Sequence, residues 1–227
     1  MQLARFVGFL RVCGLLAMLL AFSSAPSIAA SLPNVVVLAT GGTIAGAGAS
    51  SANSATYQAA KVPISKLLED VPQLKQVANV TGEQVFQVAS ESFTNEDLIV
   101  LAKRVSALSK QSDVDGIVIT HGTDTIEETG LFLQVTCGKL AQTQSKRVIL
   151  TGAMLPRNAP GADGPSNLLD ALRWASTSID NCPGGIYAVM DGRGCMAMDV
   201  SKRHATALNA PLLNTPSSSV GLINPSW

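Results

Sequence analysis

Four short apolar runs punctuate the chain: Val35-Val36-Val37-Leu38-Ala39, Gly116-Ile117-Val118-Ile119, Arg147-Val148-Ile149-Leu150 and Gly185-Ile186-Tyr187-Ala188-Val189-Met190. Each is too short for a helix and rich in β-branched residues, the pattern of strands buried on both faces of a parallel sheet. Gln84-Val85-Phe86-Gln87-Val88-Ala89 alternates apolar and polar and predicts a further strand. Helical patterns lie between these runs. Pro63 opens a short helix over 64–70, stopped before Pro72. Thr94 reads as an N-cap with Glu96 and Asp97 in the first turn, followed by an apolar face of Leu98, Ile99, Leu101, Ala102, Val105 and Leu108. Thr125 and Glu128 have capping-box spacing ahead of Ile126, Leu131, Phe132 and Val135. Asp163-Gly164-Pro165 opens a last helix that packs through Leu168, Leu169, Ala171, Leu172 and Ala175. Strand and helix alternate without an internal repeat, so the expected fold class is α/β, a mostly parallel sheet with helices on both faces.

Polar residues collect where the strands stop. The first run breaks into Thr40-Gly41-Gly42-Thr43, the second into Thr120-His121-Gly122-Thr123-Asp124, the third into Thr151-Gly152-Ala153, and the alternating strand into Ser90-Glu91. Carboxyl ends of parallel strands lie along one rim, where open α/β sheets keep their ligands. Thr43 therefore reads either as a hydroxyl held at that rim or as the cap of an ordinary turn. The small-residue stretch from Ala47 to Thr56, with Asn53 inside it, has the composition of a lid loop. Tyr57 closes it, either serving the site or packing the loop down.

Charge and composition narrow the field. Sixteen basic and sixteen acidic residues give a net charge of zero and no patch, which offers no support for nucleic-acid or membrane-surface binding. At the start, Arg5 and Arg11 make a positive segment ahead of an apolar core over 12–22, followed by small residues with a cleavage signal at Ser27-Ile28-Ala29 or Ile28-Ala29-Ala30. Residues 1–30 are thus expected to be a signal peptide, too short in its apolar core to span a bilayer, and the mature protein to be periplasmic or secreted. Cys137, Cys182 and Cys195 remain, an odd number without metal-ligand spacing; Cys182 and Cys195 could pair across a hairpin. With His121 and His204 as the two histidines, a Ser-His-Asp enzyme is disfavoured unless His121 serves. Gly41-Gly42-Thr43-Ile44-Ala45-Gly46 matches neither a dinucleotide fingerprint nor a phosphate-binding loop.

The rim chemistry has two readings. Glu91 and Asp124 with nearby hydroxyls and N–H groups suit a small zwitterion, the carboxylates taking an ammonium. The same set suits acyl transfer by a threonine hydroxyl, with N–H groups as an oxyanion hole. A threonine needs a base, and a desolvated lysine beside an acid can serve. Lys202, in Asp199-Val200-Ser201-Lys202, is the candidate, although periodicity alone reads it as a solvated surface residue.

Ala39 to Gly46 together with Ile119-Thr120-His121-Gly122-Thr123-Asp124-Thr125-Ile126-Glu127-Glu128-Thr129 resemble the two signatures of bacterial type II, exported L-asparaginases and glutaminase-asparaginases. The likeness continues through Gly152-Ala153-Met154, Ala162-Asp163-Gly164-Pro165, Asn167-Leu168 and Asp199 to Lys202, and spans Leu32 to about Asn224; Cys182 to Met198 matches less well. The resemblance implies a Rossmann/flavodoxin-like N-terminal domain of the asparaginase fold, and hydrolysis of L-asparagine, often also L-glutamine, without cofactor or metal. It implies Thr43 as nucleophile, Tyr57 assisting it, and a linked set of Thr123, Asp124 and Lys202. It further implies a substrate pocket of Gly42, Ser90, Glu91, Thr123, Asp124 and Ala153, with Glu91 leaning the reading toward dual asparaginase and glutaminase activity. The partner is then a small amino-acid amide, and the assembly a homotetramer, a dimer of dimers. The expected domain order is signal peptide 1–30, N-terminal α/β domain 31–210, and an inter-domain linker remnant 211–227, with the family's second domain absent. Because the family takes a Glu and an Asn from that domain, a catalytically inactive or binding-only form is the alternative expectation.

Overall fold

In the computed structural model of the chain, residues 31–48, 57–176, 183–205, 207 and 219–222 are described. The contacts divide the chain into Met1–Ser31 and Leu32–Trp227, and every strand and helix among the described residues belongs to the second unit. The expected signal peptide over 1–30, the 49–56 part of the small-residue loop, Cys182 and most of 211–227 lie outside the described residues.

The strands are β1 (Asn34–Gly41), β2 (Asn79–Val88), β3 (Gly116–Thr120), β4 (Arg147–Thr151), β5 (Gly185–Met190), β6 (Arg193–Met196) and β7 (Ser219–Leu222). The helices are α1 (Ile64–Glu69), α2 (Leu74–Val77), α3 (Asn95–Ser109), α4 (Ile126–Thr143) and α5 (Gly164–Ser176). One sheet has the order β2-β1-β3-β4-β5-β6-β7. The first five strands pair in parallel and β6 and β7 add antiparallel at one edge. The order 2-1-3-4-5 is that of doubly wound flavodoxin-like sheets, whose direction of winding reverses between β1 and β3.

Strand alternation sorts the core into two layers. Val35, Val37, Ala39, Val118, Ile149 and Val189 face a layer completed by α1, α2 and α5, with Leu168, Leu172 and Trp174 buried in it. Leu38, Ile117, Ile119, Val148, Leu150 and Ile186 face the opposite layer, closed by Leu101 and Val105 of α3 and Leu133 and Ala141 of α4. Helices on both faces are what the continuous apolar strands require.

Five local expectations change. β2 begins at Asn79, five residues before the alternating stretch, because pairing with β1 carries it through Thr81, Gly82 and Glu83 at the sheet edge. The capping box at Thr94 forms, with Asp97 as its other half, but Ile99 stays 47% exposed. The expected box at Thr125 and Glu128 does not form, because the Thr125 hydroxyl donates instead to the Ser90 carbonyl at 3.1 Å. Leu131 and Val135 are 51% and 78% exposed, and α4 packs through Ile126, Thr129, Gly130, Leu133 and Cys137. Finally, Ser219–Leu222, inside the stretch expected to be linker, extends the sheet as β7. The turn from β5 to β6 is a two-residue hairpin loop, Asp191 and Gly192 both at positive φ (51° and 67°), the requirement of a type I′ turn.

Candidate active site

The switch point between β1 and β3 is built from backbone. Gly42 sits at φ 74°, and a Cβ on it would lie 2.4 Å from the Gly122 Cα. A Cβ on Gly122 would in turn lie 2.3 Å from the Ser90 hydroxyl. Side chains at either position would push the loops apart, so the two glycines bring the ends of β1, β2 and β3 together. Thr43, Ser90 and Thr123 then begin short 3-10 turns just past those ends.

Beneath this rim His121 is a strut. It is 1% exposed, with Nδ1 2.7 Å from the Thr40 hydroxyl and Nε2 2.8 Å from the Thr129 hydroxyl. The Thr40 hydroxyl gives its proton to the Thr120 carbonyl at 2.9 Å, so Nδ1–H donates to Thr40 and Nε2 accepts from Thr129. Phe93 packs edge-on against the ring, at 4.8 Å. Burial pulls the imidazole down to about 4, a little offset by the Thr125 backbone. His121 is therefore neutral and spent on β1, β3 and α4, which removes it as a catalytic base.

A cleft of about 550 Å³ opens above the glycines, lined by Gly42, Thr43, Tyr57, Ser90, Glu91, Thr123, Asp124 and Lys202. The Thr43 and Tyr57 hydroxyls are 2.8 Å apart. Gly46 makes room for that contact: a Cβ there would meet the Tyr57 ring at 2.3 Å. Tyr57 thus serves the site and packs its loop as well. Burial raises its phenol above the ordinary value near 10, the Thr43 hydrogen bond opposes this, and the Glu91 and Asp124 carboxylates add to the rise. The hydroxyl stays protonated at neutral pH.

Lys202 is not a surface lysine. Its ammonium donates to the Thr123 hydroxyl at 2.9 Å and to the Asp124 carboxylate at 2.5 Å, and its side chain is 17% exposed. Glu127, on the first turn of α4, accepts from the Lys202 backbone N–H at 3.3 Å. Among the described residues, no group of three or more His, Cys, Asp or Glu side chains could hold a metal ion.

One expected pocket residue departs from its place. Ala153 is fully buried, its methyl in the core beside Gly164 at the start of α5, and it is not among the residues that line the cleft. The following Met154, Leu155 and Pro156 line the cleft instead, together with Ala59, Ala89 and Ala205. The signal for the first three was their position just past a buried strand. Asp163 fixes them: its carboxylate accepts from the N–H groups of Met154 (2.8 Å) and Leu155 (2.9 Å) and from the Asn167 amide (3.1 Å). Asn167 also donates to the Gly152 carbonyl at 3.1 Å and accepts from Asp191 N–H at 2.9 Å, joining the ends of β4 and β5.

Comparison with known proteins gives these residues relatives. The family model described as "Asparaginase, N-terminal" matches residues 34–218. The glutaminase-asparaginase of Pseudomonas aeruginosa is 56% identical over 160 residues, covering 70% of this chain and 43% of that protein. The glutaminase-asparaginase of Pseudomonas fluorescens biotype A is 52% identical over 196 residues, 84% of this chain and 52% of that protein. A crystal structure of a probable cytoplasmic L-asparaginase from Campylobacter jejuni superposes with a TM-score of 0.77 at 33% identity, covering 85% of this chain and 57% of the other. The chain spans about half the length of the curated relatives it matches.

Proposed function

The chain belongs to the asparaginase family through its N-terminal domain, and from that premise we propose that it hydrolyses the side-chain amide of L-asparagine, and of L-glutamine as well, with Thr43 as nucleophile. What supports this most is one cleft presenting two threonine hydroxyls, each already paired: Thr43 with Tyr57, and Thr123 with Lys202.

The Thr43 hydroxyl attacks the amide carbon, ammonia leaves with the proton that attack releases, and the resulting ester is cleaved by water to give the acid and free threonine. Tyr57, neutral and 2.8 Å away, acts by passing a proton along a hydrogen bond rather than by starting as a phenolate. Lys202 polarises Thr123 and holds Asp124 in place. The carboxylates of Asp124 and Glu91 suit the substrate ammonium, and the Ser90 hydroxyl with loop N–H groups suits its carboxylate. The signal pattern over 1–30 supports export to the periplasm or beyond, and a homotetramer is the assembly this reading implies.

Incubating the chain with L-asparagine, or with L-glutamine, and assaying ammonia tests the proposal. Release above a Thr43→Ala control is expected. Binding of L-aspartate without release would identify a binding-only form instead.

A further inference from the structure

Three consecutive residues at the start of the Tyr57 loop are held from both sides. Ala47 exchanges two N–H···O bonds with Gln58, both 3.0 Å, which joins the loop's two ends. In extended chain the peptide groups of the flanking residues point the opposite way. On that side the Arg157 N–H donates to the Gly46 carbonyl at 3.2 Å. The Gly48 N–H donates to Asn158 Oδ1 at 3.0 Å, and Asn158 Nδ2 donates to the Gly48 carbonyl at 2.9 Å. A carboxamide carries the same donor and acceptor as a peptide group, so the Asn158 side chain takes the place of a third strand. Arg157, beside it, is anchored by its guanidinium to Asp70.

We propose that Asn158 is a positioning residue for the Thr43–Tyr57 pair, clamping the base of the loop so that the Tyr57 hydroxyl rests on Thr43. The clamp acts where it can matter. Gly46 bears the Tyr57 ring and Gln58 follows Tyr57 directly, so a shift at 46–48 moves the phenol. It also couples the walls of the cleft, because the segment carrying Asn158 begins with Met154, Leu155 and Pro156. The inference rests on the reading of that pair as catalytic, but its test does not use turnover.

The experiment is a pH titration of the full chain carrying ring-labelled tyrosine, followed by NMR, with Tyr57→Phe assigning the two signals. Tyr187 is buried and donates to the Pro183 carbonyl at 2.9 Å, so it reports on the fold. In Asn158→Ala the Tyr57 signal is expected to titrate at lower pH, back toward 10, with Tyr187 unmoved and L-aspartate binding weakened about tenfold. Asn158→Asp keeps the acceptor for Gly48 N–H, loses the donor, and is expected to fall between. An unchanged Tyr57 titration in Asn158→Ala with a native Tyr187 signal overturns the proposal. If Asn158→Ala loses the Tyr187 signal, the same two outcomes are read from Asn158→Asp. A chain that releases no ammonia still decides the matter, since the Tyr57 shift is measured without substrate.

Discussion

Gly42 and Gly122 meet backbone to backbone, so closely that a Cβ on Gly42 would stand 2.4 Å from both the Cα and the N of Gly122. Gly42→Ala must open the junction between β1 and β3 and also hold alanine at φ 74°. The expected cost is about 2–4 kcal/mol of stability, with loss of L-aspartate binding. Urea unfolding and calorimetry check both.

Buried, neutral His121 makes the fold acid-sensitive. Its imidazole is held near 4 in the folded chain, against an ordinary value of 6.5 when unfolded. Between those values the unfolded chain binds the extra proton, so stability falls as pH falls from 6.5 toward 4. The full effect is about 3 kcal/mol. Urea midpoints across that range are expected to drop accordingly, and to flatten in His121→Gln, provided the variant folds.

Asp163 holds two consecutive amides of the cleft wall. Asp163→Ala leaves the Met154 and Leu155 N–H groups and the Asn167 amide without that acceptor, an expected loss of about 2–3 kcal/mol. Hydrogen exchange at the 154 and 155 amides is expected to accelerate more than at β4.

Lys202→Met separates chemistry from folding. The Lys202–Asp124 pair has an Asp124 side chain 59% exposed, so its loss is expected to change stability by less than about 1 kcal/mol. Ammonia release is expected to fall roughly a hundred- to ten-thousandfold, with the Thr123 hydroxyl no longer polarised.

The parallel sheet was legible because its central strands are buried on both faces and read as unbroken apolar runs, as in Ile117-Val118-Ile119 and Ile186 to Met190. The rim was legible for the same reason: polar residues at the ends of such runs stand out. Lys202 was named as the candidate base, but its burial was not legible, since that comes from contact with Thr123 and Asp124, 79 and 78 positions away, which no local pattern encodes. Leu131 and Val135 misled because apolar side chains on α4 do not all turn inward; Thr129 and Gly130 are buried instead, Thr129 on the His121 ring and Gly130 against Ala197 in the turn after β6. Asn158 left no signal at all. In sequence it is a polar residue in a Pro-rich loop, and its meaning lies in Gly48, 110 residues earlier.

The central claim is that Thr43 carries the acyl group. Quenching the chain in acid during turnover of L-asparagine, then digesting it and sequencing the peptides by mass, locates the ester. An aspartyl group on the peptide containing Thr43, absent from Thr43→Ala along with ammonia release, is the predicted result. An ester on Thr123 instead, or undiminished ammonia release by Thr43→Ala, would contradict it.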